Sequence, residues 1–141
     1  MSKIIIPFEL YSSKNSRQTF MRNGKIINIK SKQALSNEKE LIDWLVLNKH
    51  AWDYELTQFI CQQEYEKKDY SYYPLKIYIK IYRETNRKFD YLNIYQNLFD
   101  CMVKAEWLPD DDMNHLIPIF EGWEKDKENP RVELSLFTEG E

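Results

Sequence analysis

The sequence predicts an α+β domain in which helices cover one face of a small mixed β-sheet. Three stretches carry this prediction. Residues 73–83 alternate apolar and polar side chains with the period of a strand, residues 89–105 repeat with the period of a helix, and Asn23-Gly24 divides two short β-prone runs. A chain of 141 residues with 43% hydrophobic side chains has room for one core, so we expect a single domain over residues 1–141.

Two β elements are expected before the first helix. Residues 4–10 are predicted to form a strand that ends at the polar run 11–17, and residues 20–29 a hairpin, because Asn-Gly suits the positive φ angles of a type I′ turn. Residues 1–34 hold seven basic side chains and one acidic side chain, although the whole chain has a net charge of −3. This basic end is either a surface for phosphates or an arm that only aids solubility.

The next segment is predicted to be helical. Residues 38–49 show capping-box spacing at Asn37 and Glu40, followed by apolar side chains at helical intervals. His50 is expected to end this helix as a surface residue. Residues 52–68 leave two interpretations open, a second helix or a strand, and residues 64–69 are expected to form an exposed connection.

Residues 73–83 are the clearest strand of the sequence. Its two faces differ: Leu75, Ile77, Ile79 and Ile81 point one way, and Lys76, Tyr78, Lys80 and Tyr82 point the other. The second set is a basic, aromatic stripe that either stacks on bases or packs across strands. Residues 115–120 and 131–137 indicate two more strands, separated by a charged loop at 121–130 and followed by a frayed tail at 138–141. Pro118 predicts that the first of these strands lies at a sheet edge or is bulged.

The helix at 89–105 has an unusual polar face. That face is formed by Asp90, Asn93, Gln96, Asn97, Asp100 and Lys104. Short amide and carboxylate side chains compete with the helix backbone, so an ordinary solvated face uses Glu and Lys instead. We interpret this composition as a sign that the face serves a ligand.

Three aspartates, Asp110, Asp111 and Asp112, follow at the negative end of the helix dipole. They either form a solvated turn that caps the next element or are neutralised by a cation such as Mg²⁺, which takes carboxylate oxygens from separate elements. Asp90 and Asp100 upstream favour the cation. His115 is close enough in sequence to be a further ligand, although such cations prefer oxygen.

Several of these residues fall in the register of a known family. They are Arg87, Lys88, Asp90, Asn93, Asp100, Asp110 and Asp111. Over residues 87–120 the chain resembles the RusA-type Holliday junction resolvases, in which a basic strand end leads to Asp-x-Asp-Asn-x-x-Lys-x-x-x-Asp on a helix and then to Asp-Asp. Two positions depart from this pattern, because Leu92 replaces the second aspartate and Gln96 replaces the lysine.

The resemblance implies a small α+β homodimer that cuts branched DNA with Mg²⁺, or Mn²⁺ in its place. Asp90 and Asp111 match metal ligands, Asp110 is expected as a further ligand on the same turn as Asp111, and Asn93 and Gln96 would orient ligands or water. Asp100 matches a supporting position. The residues expected to contact DNA are Lys14, Asn15, Arg17, Arg22, Lys25, Arg87 and Lys88.

Leu92 and Gln96 leave other hypotheses open. The protein is alternatively a catalytically silent homodimer that binds DNA or a protein partner, or an interaction protein unrelated to nucleic acid. No apolar run approaches the ~20 residues needed to span a bilayer. We therefore expect no membrane association and a cytoplasmic location. The resemblance further implies a bacterial cell, with a phage or the host encoding the protein, and no organic cofactor. Cys61 and Cys101 are expected to be reduced, with a disulfide between them as the alternative.

Overall fold

The computed structural model of the protein describes residues 3–11, 17–30, 32–65 and 72–137, and leaves out the side chains of residues 17–20, 27–30 and 64–65. Most of the predicted polar run 11–17, of the connection 64–69 and all of the tail 138–141 lie outside the described residues. The elements in chain order are β1 (Ile4–Ile6), β2 (Arg17–Arg22), β3 (Lys25–Lys30), α1 (Lys32–Leu47), α2 (Lys49–Tyr65), β4 (Leu75–Arg83), α3 (Tyr91–Lys104), β5 (Leu116–Lys125) and β6 (Arg131–Ser135).

A mixed four-stranded sheet forms the centre of the fold, in the order β1-β6-β4-β5. Strand β6 runs antiparallel to both of its neighbours, and β4 runs parallel to β5. The chain passes from β4 to β5 through α3, because parallel strands need a long crossover connection. This arrangement confirms the predicted α+β class and the mixed sheet.

Strand β4 shows the predicted alternation of burial. Leu75, Ile77, Ile79 and Ile81 are each at most 1% exposed. They join buried side chains of α1, α2 and α3 in one hydrophobic cluster. On the other face of β4, Lys76 is exposed and Tyr78, Lys80 and Tyr82 are partly exposed. The three helices thus contribute to the core on one side of the sheet.

The predicted hairpin is confirmed and forms a separate two-stranded sheet of β2 and β3. Asn23 and Gly24 have φ angles of 52° and 75°, as a type I′ turn requires. Asn tolerates this left-handed conformation better than most residues, and Gly adopts it without steric cost.

The predicted start of the first helix was wrong. Helix α1 begins at Lys32, six residues before the expected start at Glu38, and the supposed capping box lies inside it. Asn37 accepts a hydrogen bond from Gln33 at 3.0 Å, and Glu38 is ion-paired with Lys104 of α3 at 2.5 Å. Residues 52–68, left open between helix and strand, belong largely to helix α2. His50 is exposed as expected, but it lies in the first turn of α2.

Helix α3 and the chain that follows it are anchored in the core. Ile94, Leu98 and Met102 are each at most 1% exposed. Beyond the helix, Trp107 stacks on Trp52 with ring centroids 5.2 Å apart and donates from Nε1 to the backbone oxygen of Leu45 at 2.7 Å. This hydrogen bond satisfies the polar atom of a nearly fully buried indole.

Strand β5 extends further than predicted, because residues 121–125 continue the strand and do not belong to a loop. The pairing shifts between Ile79 and Ile81 of β4, opposite Phe120 and Trp123, which is a β-bulge. Gly122 lies in the bulge with φ 93°, a conformation that side chains with a Cβ rarely adopt. Pro118 lies in an edge strand, as predicted. Strand β1 ends at Ile6 rather than Leu10, since Pro7 cannot donate to a ladder.

Two other expectations concern the whole chain. In the part of the chain that the structure describes, no helix is long and apolar enough to cross a membrane. Cys61 and Cys101 are both described and form no disulfide, and Cys101 is buried in α3 while Cys61 is exposed in α2.

Candidate metal centre and nucleic-acid interface

Asp90 is the N-cap of helix α3. Its backbone is extended, with φ −103° and ψ 112°, and its Oδ1 accepts a hydrogen bond from the backbone nitrogen of Leu92 at 3.0 Å. The other oxygen, Oδ2, accepts from Nδ2 of Asn93 at 3.2 Å. Aspartate is among the best N-cap residues because its carboxylate satisfies a free N–H group and its charge suits the positive end of the helix dipole.

A group of carboxylates lies near the other end of α3, where Asp111 approaches Asp100 and Asp110. Oδ1 of Asp110 accepts a hydrogen bond from the backbone nitrogen of Asp111 at 2.7 Å. Local burial raises the pKa of the Asp111 carboxyl, and the charge of Asp100 and the contact with Asp110 raise it further. Since Asp111 is exposed as a residue, water screens this repulsion. Lys104, one helical turn beyond Asp100, is instead ion-paired with Glu38.

Asp112 has a different partner. Its Oδ1 lies 2.6 Å from Nδ1 of His115 and accepts from the backbone nitrogen of Asn114 at 3.0 Å. The hydrogen bond with His115 lowers the pKa of the Asp112 carboxyl. The imidazole of His115 also contacts the ring of Tyr73 edge to face, with centroids 5.2 Å apart. Asp112 and His115 therefore organise the turn that leads into β5.

The structure does not bring Asp90 and Asp111 together. Asp90 and Asp100 are ten residues apart, which corresponds to about 15 Å along a helix axis. The turn that contains Asp111 lies at the start of β4, where the backbone nitrogen of Leu75 donates to His115 at 3.0 Å. Asp90 lies beyond the far end of β4, where Arg83 stacks on Phe89 at 4.3 Å. The carboxylate that accompanies Asp111 is Asp100.

No group of three or more His, Cys, Asp or Glu side chains within the described ranges is arranged to hold a metal ion. A pair of carboxylates is nevertheless within the range of Mg²⁺ chemistry, because this cation is commonly held by one or two carboxylates plus water and substrate phosphates. Asp100 and Asp111 form such a pair, with Asp110 hydrogen-bonded to the same turn.

Of the other polar residues of α3, Asn97 is buried and Gln96 is exposed to solvent. Asn97 is 8% exposed, donates from Nδ2 to the backbone oxygen of Tyr11 at 3.5 Å and accepts from Sγ of Cys101 at 3.8 Å. Asn97 thus links α3 to the segment after β1, which is a structural role. Gln96 is exposed and lies four residues before Asp100, on the same helical face. Leu92 is 68% exposed, so it is a surface residue.

The basic residues expected to contact DNA lie in two places. Arg22 and Lys25 are exposed and flank the turn of the β2–β3 hairpin. Arg87 and Lys88 are exposed in the loop before Asp90, at the opposite end of α3 from Asp111. Lys14 and Asn15 lie outside the described residues, and the side chain of Arg17 is not described.

Two side chains of the Tyr and Lys stripe on β4, Lys80 and Tyr82, are engaged in contacts within the protein. Lys80 is ion-paired with Glu124 of β5 at 2.9 Å, and the guanidinium of Arg131 stacks on Tyr82 at 3.6 Å. Arg131 is also bonded to Asp126 and Glu133 at 2.8 and 2.9 Å. These contacts favour the interpretation that the stripe packs across strands over a role in base stacking.

An acid-lined cleft was not expected from the sequence. Its volume is about 640 Å³, and its charged lining consists of Glu9, Glu84, Asp126, Glu128 and Arg131. Glu9 accepts from the backbone nitrogen of Glu84 at 3.1 Å and lies 3.5 Å from Arg83. Its residues come from three distant parts of the chain, so no spacing in the sequence points to it.

No protein-family model matches this chain, and no curated protein matches its sequence.

Proposed function

We propose that the protein is a Mg²⁺-dependent endonuclease of branched DNA whose cation is held by the carboxylates of Asp100 and Asp111. The observation that carries this proposal is the approach of Asp111 to Asp100 and Asp110 at the end of α3, where burial and then the charge of Asp100 raise the pKa of the Asp111 carboxyl. Two neighbouring carboxylates repel each other when both are ionised, and a divalent cation between them removes that repulsion. The resemblance to the RusA-type resolvases supplies the substrate class.

We assign the following roles in the proposed cleavage to side chains of this protein. Asp100 and Asp111 bind the cation, and Asp110 fixes the backbone of Asp111 through the 2.7 Å hydrogen bond. Gln96, one turn before Asp100, orients a water or a phosphate oxygen near the site. Bound Mg²⁺ would supply an acidified water and neutralise charge on the phosphoryl group. Basic side chains such as Arg22 and Lys25 would hold the DNA backbone and set its orientation.

This assignment differs from the one that the resemblance implies. Asp90 uses Oδ1 to cap α3 and Oδ2 to bind Asn93, so both residues serve the start of the helix. The replacement of the family's second aspartate by Leu92 removes another carboxylate from the same end. The acidic pair at the other end of α3 is therefore the better candidate for the cation.

The proposal retains a homodimer, because a four-way junction has two-fold symmetry that a two-fold protein dimer matches. Sedimentation equilibrium at micromolar protein concentration measures the mass of the protein alone and of its complex with a junction. A monomeric mass in both cases contradicts the proposed homodimer. With the resemblance to the RusA-type resolvases, we also propose a cytoplasmic location in a bacterial cell.

The test is cleavage of a labelled four-way junction in the presence of Mg²⁺ or Mn²⁺. Asp111→Asn and Asp100→Asn should each abolish cleavage while junction binding in EDTA stays within about twofold of wild type. Asp90→Asn is the matched control: asparagine caps a helix as well as aspartate does, so this variant should cleave normally. Loss of cleavage in Asp90→Asn with full activity in Asp111→Asn would overturn the assignment.

A second candidate function is DNA binding without cleavage. The specific observation in its favour is that Asp90 lies at the opposite end of α3 from Asp111, so the carboxylate pair matched to the family's ligands is not assembled. The same assay separates the two functions. A junction that shifts in a gel but is not nicked by wild type with either cation supports the silent binder.

A further inference from the structure

The tip of the β2–β3 hairpin exposes two large apolar side chains to solvent. Met21 and Ile26 lie directly opposite each other on the two strands. They are 68% and 73% exposed, the largest exposures among the apolar strand side chains that the structure describes. Exposed apolar side chains are common singly, but a cross-strand pair at a hairpin tip leaves a compact apolar surface in water.

The same tip carries an unfavourable charge arrangement. Arg22 and Lys25 pair across the strands next to the turn, and both are exposed. Like charges directly opposite each other destabilise a hairpin. Residues 17–30 contain four basic side chains and no acidic one, in a chain with a net charge of −3. A polyanion that binds this tip would remove the repulsion.

The dimensions of the hairpin suit a DNA groove. Each strand has six residues, which span about 20 Å. Among the described residues the two strands form a sheet of their own and do not pair with the four-stranded sheet. The hairpin is therefore a two-stranded ribbon whose strand axes lie about 5 Å apart. A two-stranded ribbon of this kind enters a DNA groove, and aliphatic side chains such as Met and Ile act as wedges between base steps.

We propose that the β2–β3 hairpin is a DNA-inserting element, in which Arg22 and Lys25 bind phosphates on either side while Met21 and Ile26 pack against bases opened at a branch point. The inference rests on the DNA-binding part of the proposed function and is independent of cleavage. A branch point is the favoured target, because unstacking a base step costs a few kcal/mol in a continuous duplex and less where stacking is already interrupted.

The test measures binding in EDTA, where cleavage cannot occur, to a four-way junction and to a duplex of the same arm sequence. The double variant M21S/I26S should weaken junction binding by about tenfold and duplex binding by less. It should also leave the slope of log Kd against log salt unchanged. The double variant R22Q/K25Q should weaken both and lower the slope by about 2, one unit for each lost phosphate contact.

Two controls match these variants in chemistry but lie on helix α1. Leu47→Ser removes an apolar side chain that is 74% exposed, and Lys39→Gln removes a basic side chain that is 77% exposed. Neither should change binding. A fluorescent 2-aminopurine placed at the branch point gives a second readout, because insertion of Met21 and Ile26 should raise its emission in wild type and not in M21S/I26S.

The outcomes separate this inference from the proposed function. Junction binding by M21S/I26S that equals wild type, with an unchanged 2-aminopurine signal, overturns the wedge. The inference is also overturned if the wild type binds no DNA but binds anionic phospholipid vesicles, because the ligand of the hairpin would then be a membrane surface. Wild-type binding that depends on the hairpin, without any cleavage when Mg²⁺ or Mn²⁺ replaces EDTA, supports the inference and contradicts the endonuclease.

Discussion

Asp90→Ala separates the two roles that sequence and structure assign to Asp90, metal ligand and helix cap. In the structure its carboxylate accepts from the backbone nitrogen of Leu92 at 3.0 Å and from Asn93 at 3.2 Å. Replacement of an aspartate N-cap by alanine costs about 1 kcal/mol, and loss of the negative charge at the positive end of the helix costs roughly 0.5 kcal/mol more. We therefore expect Asp90→Ala to lower the free energy of unfolding by about 1.5 kcal/mol.

For a chain of this length, that loss lowers Tm by about 5 °C. Asp90→Asn retains the capping hydrogen bond and should lose roughly 0.5 kcal/mol. Asp43→Ala is a matched control, because it removes an exposed aspartate from a helix interior, where the ion pair with Lys39 at 2.6 Å is worth a few tenths of a kcal/mol. Urea and thermal unfolding followed by far-UV circular dichroism measure all three variants.

If Asp90→Ala unfolds with the same midpoint as Asp43→Ala, the Asp90 cap contributes no stability and this prediction is refuted. The prediction is also refuted if Asp90→Asn unfolds like wild type but no longer cleaves a junction that wild type cleaves. That result would return Asp90 to the catalytic site that the family pattern implies. A stable, cleaving Asp90→Asn and a destabilised Asp90→Ala together identify Asp90 as a structural residue.

Two further predictions concern the turn and the core. Burial, followed by the charge of Asp100, raises the pKa of Asp111, so its ionised form opposes folding above the ordinary value of 3.8 and not below it. Asp111→Asn should therefore have a higher Tm than wild type at pH about 7. The difference should close as the pH falls through the raised pKa of Asp111 and be absent below 3.8, and saturating Mg²⁺ should raise the wild-type Tm alone. A difference that grows on acidification contradicts this. Trp107→Phe should cost about 3 kcal/mol, because it removes the 2.7 Å hydrogen bond to Leu45 and leaves space beside Trp52. Urea unfolding with Trp44→Phe as the partly buried control measures this, and equal losses in the two variants would contradict the role of the hydrogen bond.

The sequence by itself determined the elements whose side chains alternate between core and solvent. Strand β4 shows a period of two because one of its faces is packed by helices, and α3 shows an apolar stripe for the same reason. The hairpin turn was also predictable from the sequence, since Asn and Gly adopt the positive φ angles that Asn23 and Gly24 have in the structure. Pro118 indicated an edge strand because proline cannot donate to a second neighbour.

Helix boundaries depended on partners that the local sequence does not contain. Asn37 and Glu40 have capping-box spacing, but α1 starts at Lys32, and Glu38 within it binds Lys104, 66 residues away. Asn97 belonged to the polar face by periodicity, yet it is buried against the backbone of Tyr11. Both contacts exist only after α1, α3 and the N-terminal segment are packed together.

The candidate site was the clearest case of this dependence. Aspartates are visible in the sequence, but their separation in space is set by the length and direction of the elements between them. Helix α3 returns from the far end of β4 to its beginning, so it carries Asp100 towards Asp111 and leaves Asp90 at the other end. Which carboxylates face each other was decided by the tertiary structure, because a rigid helix of fourteen residues holds its two ends about 20 Å apart.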